Sequence, residues 1–115
     1  MKLEMKVRQA GDVTVLDFSG AITLSVASNT VRDAVRDLVA EGHRKILLNM
    51  CHVGYIDSYG IGEMVAGYTS ARNAGGALKL LSPTKHVKEM LVLTNLYNIF
   101  DVQDDEETGI RSFGA

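Results

Sequence analysis

At 115 residues the chain has the length of about one domain, and 46% hydrophobic with 23% charged residues is the balance of a globular protein able to fill one core. The formal net charge is −2, with no Trp, four Tyr and three Phe, so neither a basic stripe to track phosphates nor an aromatic platform to stack bases is present and direct nucleic-acid binding is disfavoured. Cys51 is the lone cysteine, which excludes an intramolecular disulfide and fits a reducing, cytoplasmic location.

The amino-terminal stretch alternates charge with apolar residues and has no apolar signal core. No stretch approaches the roughly 18 apolar residues of a membrane span, so the expectation is a chain neither exported nor inserted. Two strand-like runs follow, Met5–Gln9 and Val13–Phe18, joined by the turn signal Ala10-Gly11-Asp12, and they should pair antiparallel. After Gly20, Ser25 or Ser28 is placed to cap a helix whose Val31, Ala34, Val35, Leu38 and Val39 repeat with helical spacing until Gly42 stops it. Lys45–Met50 reads as a strand apolar on both faces, the pattern of a central strand.

A second helix is expected from about Tyr59 to Asn73, ended by Gly75-Gly76, with a short strand at Ala77–Leu81 behind it. Ser82-Pro83 predicts the start of a third helix with Val87, Met90, Leu91 and Thr94 on one face, ending at Asn95 or Asn98. Ile99–Val102 makes a last strand. Asp104 to Glu107 puts negative charge where the first turn of a terminal helix gains from it. Alternating strands and helices after a hairpin predict an α/β fold. It is a single domain over residues 1–115, with a mixed, mostly parallel sheet, an initial antiparallel hairpin and helices packed mainly on one face.

The chemical motifs of most enzyme classes are missing. His43, His52 and His86 are scattered, and Cys51-His52 lacks the spaced pairs of a structural zinc site, so no metal and no cofactor are expected. The glycines of Gly60-Ile61-Gly62 and Gly75-Gly76 complete neither a Walker loop nor a dinucleotide fingerprint. Ser58 stands at a strand-to-helix turn with Gly60 after it, but the glycine of a nucleophile elbow is absent two residues before. Only His86 follows as a base, on a helix, so a serine hydrolase is disfavoured. Met50, Met64 and Met90 read as core packing and Cys51 as a small buried hydrophobe.

The informative stretch is Val53-Gly54-Tyr55-Ile56-Asp57-Ser58-Tyr59-Gly60-Ile61-Gly62, which sets an Asp-Ser pair at the carboxyl end of a strand and the amino end of a helix. One reading of the pair is a helix cap contributing about 1 kcal/mol. The other is a modification site. A phosphate on Ser58 would meet amide N–H groups and the positive end of the helix, and would change the surface without unfolding the domain. Gly60 and Gly62 each weaken a helix by about 1 kcal/mol relative to Ala, which implies close backbone approach or a loop that a partner can mould.

The segment from Lys45 to Gly62, with Val13–Leu24 around Gly20 and Gly76–Ser82, resembles the signature and flanks of STAS domains, the fold of anti-sigma factor antagonists. The resemblance implies that Ser58, after Asp57, is the phosphoacceptor. It implies that Asp57, Ser58, Tyr59, Gly60, Ile61, Gly62 and Thr23 form the partner-binding surface. The implied partners are an anti-sigma factor that is also a serine kinase of the histidine-kinase-like ATPase fold, and a serine phosphatase that resets the cycle. The unphosphorylated chain would capture the anti-sigma factor and free sigma, making it a kinase substrate rather than an enzyme. Three positions depart from the family pattern: Tyr59 for Ser or Thr, Thr23 for Asp, and Asn49 for Asp. These leave a second expectation, an unswitched STAS scaffold subunit in a stress-signalling or lipid-transport complex.

Overall fold

The computed structural model describes residues 2–114. Strand β1 (Leu3–Ala10) turns through Gly11-Asp12 into β2 (Val13–Ile22), with Ala10 opposite Val13 and Leu3 opposite Gly20 in one unbroken antiparallel register. Gly11 takes the left-handed conformation, φ 64°, that a two-residue turn demands. Then come α1 (Thr30–Ala40), β3 (Lys45–Ile56), α2 (Ser58–Asn73), β4 (Ala77–Leu81), α3 (Lys85–Leu93), β5 (Val102–Gln103) and α4 (Glu106–Arg111).

The five strands lie in chain order, β1-β2-β3-β4-β5, with every pair after the hairpin parallel. Strand alternation divides β3 between two cores, as its apolar run requires. Ile46, Leu48 and Met50 join the large core with Val31, Val35, Met64, Val87 and Leu91 from α1, α2 and α3. Leu47 faces the other way, with Val13, Val15 and Leu81, beneath Ile110 of α4 and Phe113. Three helices thus share one face and α4 crosses the other, the α/β architecture expected.

Local expectations are corrected at several points. First, neither Ser25 nor Ser28 caps α1: the cap residue is Asn29, left-handed at φ 62°, and its own side chain makes no cap bond. Second, α3 starts at Lys85 after Thr84, not at Ser82-Pro83. The Ser82 N–H still donates to the Gln103 carbonyl, at 2.7 Å, and Ser82 sits at φ 50°, so the chain there is completing its link to β5 and cannot yet wind. That link also places the last strand at 102–103, while Phe100, inside the expected strand, plugs the large core from a turn. Third, β3 continues past Met50 to Ile56. Fourth, Cys51 is exposed rather than buried, because it alternates with Met50 onto the face that α4 only partly covers.

Candidate functional site

The longer β3 leaves Asp57 as the sole residue between strand and helix. Its extended backbone, φ −108° and ψ −177°, suits an N-cap, and its side chain accepts from the Gly60 N–H at 2.8 Å. The other carboxylate oxygen accepts from the Leu24 N–H at 3.2 Å, and the Asp57 N–H donates to the Ile22 carbonyl at 3.4 Å. Asp57 therefore makes the cap and pins the exit of β2 to the start of α2. Ser58, the first helical residue, is exposed at the positive end of the helix dipole.

The residues beneath Ser58 are tightly set. A Cβ on Gly60 would stand 2.1 Å from the Ile22 carbonyl oxygen and 2.7 Å from Ile56 Cγ1, whereas one on Gly62 would meet nothing within 4 Å. Of the two readings of these glycines, close approach holds for Gly60 alone. Ile61 and Thr23 are buried, at 5% and 7% exposure. The Thr23 carbonyl accepts from Val26 and Ala27, so this residue shapes the surface from below.

Tyr59 does not stand free beside the serine. Its hydroxyl accepts from the Asn29 N–H at 3.1 Å and donates to Asn29 Oδ1 at 3.2 Å. One turn further along α2, Glu63 is 3% exposed, accepts from the Arg32 N–H at 3.4 Å and pairs with the Arg32 guanidinium at 3.6 Å. Two α2 side chains, four residues apart, thus supply the amino-terminal partners that α1 lacks of its own. Asn49 lies eight residues before Asp57, about 26 Å along an extended strand, and its amide donates to Asp17 on the α4 face. Its identity therefore leaves the charge near Ser58 unchanged.

Sequence reasoning missed what flanks the junction. Leu24 and Tyr55 are large apolar residues at 59% and 46% exposure. The Tyr55 ring stacks on His86, with centroids 4.7 Å apart and planes at 14°. His86 Nε2 lies 3.2 Å from the Ile56 carbonyl, an acceptor, so that nitrogen carries the proton and donates. The signal was faint, since Tyr55 and His86 are 31 positions apart and only the parallel β3–β4 crossover brings them together. His86 Nε2 bonds to the Ile56 carbonyl and the Asp57 carboxylate to the Gly60 and Leu24 N–H groups, and neither side chain hydrogen-bonds the Ser58 hydroxyl.

Of the other histidines, His43 Nδ1 lies 2.7 Å from Thr14 Oγ1 and His52 is exposed; among the described residues no three His, Cys, Asp or Glu side chains gather as a metal site. No helix among the described residues is long and apolar enough to cross a membrane.

A sheet in chain order behind an antiparallel hairpin, with a capped Asp-Ser junction at the carboxyl end of its central strand, is the pattern of the STAS domain, whose family model matches residues 4–109. The chain belongs to the STAS domain family. A Thermotoga maritima protein described as an anti-sigma factor antagonist is 35% identical over 68 residues, 59% of this chain and 60% of that protein. The aligned stretch thus spans less than two thirds of that relative. The crystal structure of an anti-sigma factor antagonist from Thermotoga maritima superposes with a TM-score of 0.88, 25% identity and coverage of 96% and 95% of the two chains. The anti-sigma-B factor antagonist of Bacillus subtilis is 24% identical over 111 residues, 96% of this chain and 100% of that protein. The fold is also that of the anti-sigma factor antagonist SpoIIAA in its unphosphorylated form, at TM-score 0.81 and 18% identity over 95% of each chain.

Proposed function

We propose that this chain is an anti-sigma factor antagonist working by phosphorylation-controlled partner switching, with Ser58 as the phosphoacceptor. Unphosphorylated, the surface around Ser58 binds an anti-sigma factor that is also an ATP-dependent serine kinase of the histidine-kinase-like ATPase fold, and so releases a sigma factor. Phosphate on Ser58 breaks that complex, and a serine phosphatase restores it. The partner lies over Ser58 and Gly62, with Leu24 and Tyr55 as apolar anchors at either side. Gly60, Ile61 and Thr23 hold the surface in shape from beneath.

The observation that carries this reading is the division of labour at the junction: Asp57 makes the cap and Ser58 is left exposed. A serine that was only a cap would face its own helix. The lack of an aimed base supports the role of substrate, since a kinase supplies its own. A phosphoserine carries roughly −1.5 to −2, which about doubles a net charge of −2 and places the increment in the middle of the contact.

Affinity capture from host cytosol with wild type and Ser58→Asp, followed by mass spectrometry, tests it. An ATPase-fold serine kinase retained by wild type and lost with Ser58→Asp is the expected result. If both forms hold the same partners, Ser58 is not a switch and the chain is a constitutive scaffold.

A further inference from the structure

The sheet has two edges, and they differ in length and in how they are guarded. Strand β5 is two residues long, whereas β1 offers eight residues with no proline and no bulge in its register with β2. Shortness, proline, bulges and charged side chains are the usual protections of an open edge, and of these β1 carries only the charges of Glu4, Lys6 and Arg8. The hydrogen-bond parity of β1 follows from one bond: the Ala21 N–H donates to the Lys2 carbonyl at 3.3 Å, in the same register that pairs Ala10 with Val13. Antiparallel pairs alternate between bonded and non-bonded. Glu4, Lys6 and Arg8 therefore spend their backbone groups on β2, while Leu3, Met5 and Val7 point theirs outward.

The side chains follow the same alternation. Leu3, Met5 and Val7 stand opposite Gly20, Phe18 and Leu16, on the face of the large core. Leu3 packs against that core, but Met5 and Val7 are 40% and 50% exposed. Glu4 and Lys6 are exposed on the other face.

We propose that the β1 edge pairs with the β1 edge of a second copy of this chain, antiparallel and centred on Met5, to make one continuous sheet across a two-fold axis. In that register Met5 meets Met5, and Leu3 meets Val7. These are the residues whose N–H and C=O groups are free, so each pair exchanges both backbone bonds. Between them Glu4 of one copy faces Lys6 of the other at the closely spaced, non-bonded positions where charged side chains interact best. Moving the centre one residue either way sets Lys6 against Lys6 or Glu4 against Glu4, like charges directly opposed. Charge thus selects the register, and the same residues repel unrelated edges. The Arg8 guanidinium, which the centred register would bring towards Lys2, is drawn inward to Asp17 and Glu106. β1 lies two strands from β3, so the Ser58 junction of each copy stays open.

Sedimentation velocity of the full chain at low salt, up to about 1 mM protein, tests the pairing with two charge variants. Wild type should show concentration-dependent dimerisation. Glu4→Lys, with two lysines on that face, and Lys6→Glu, with two carboxylates, should each weaken self-association about tenfold or more. An equimolar mixture of the two should recover it, because each then faces its complement. Met5→Pro, which removes an outward N–H that β2 does not use, should abolish dimerisation with the hairpin intact. It also covers the case in which Lys6→Glu fails to fold against Asp17. Wild type that stays monomeric throughout overturns the proposal. So does a Glu4→Lys chain that dimerises as wild type does, or single variants that fail and do not recover when mixed.

Discussion

Gly60 and Gly62 sit two positions apart in α2 and differ in what a methyl group would meet. At Gly60 it strikes the Ile22 carbonyl, a backbone atom that cannot rotate away, so Gly60→Ala should cost about 1–3 kcal/mol, as overpacking does. At Gly62 the space is open and the residue is exposed. Gly62→Ala should therefore stabilise by up to about 1 kcal/mol through helix propensity. Urea denaturation of both variants reads the contrast, and equal effects would mean the close approach is not there. The same experiment separates the neighbours in the Asp-Ser pair. Asp57→Ala should lose about 1 kcal/mol or more, because the cap and the tie to Leu24 go together, whereas Ser58→Ala should stay within about 0.5 kcal/mol of wild type. The pair's position was legible in the sequence. Which member caps was not, because the acceptor geometry depends on β3 running to Ile56 and leaving a single residue in which to turn.

The helices illustrate a different limit. The spacing of Val31, Val35 and Leu38 predicted α1, and those three are its buried residues. Its start was misread because its capping partners come from Tyr59 and Glu63, some thirty residues away, and no local serine signals them. The terminal helix depends on distant partners too. Arg8 bonds to Asp17 at 2.6 Å and to Glu106, fastening α4 across the sheet face. The guanidinium holds both carboxyls below their ordinary range, against a smaller opposing effect of burial. Because the folded values are depressed, the stabilisation is fully present above the unfolded carboxylate values near 4. It is lost as pH falls through the lower folded values. Both groups are partly exposed, so the effect is screened. Thermal melts from neutral to acid pH should show wild type losing Tm below about pH 4, with Arg8→Met less stable at neutral pH and falling less steeply. Parallel curves for the two proteins would remove Arg8 from the acid response.

Over the whole molecule, β2 and β3 carry the structure. Each is paired on both sides, and between them they supply residues to both cores. Native-state hydrogen exchange should find the slowest amides in these two strands and faster exchange in the six-residue α4. The opposite order would mean the cores are not held by the central strands. This architecture was legible because hairpin signal, helical period and two-faced strand agreed with one another. What was not legible is where long-range contacts overrule a local rule. Pro83 invites a helix that the Ser82–Gln103 bond postpones, Cys51 looks like core and faces out, and Glu63 is a carboxylate buried against the Arg32 N–H and guanidinium.

The single-residue turn at Asp57 has a mechanical consequence. A long loop absorbs a new charge by moving, and the partner then reads a change of shape. Here the post beneath Ser58 is fixed at both ends, to Gly60 on one side and to Ile22 and Leu24 on the other, and there is no slack to take up. A charge added at Ser58 would accordingly be felt at a distance, as a change in the field an approaching protein meets. The rate of encounter and its dependence on ionic strength would shift before any bond in the fold did.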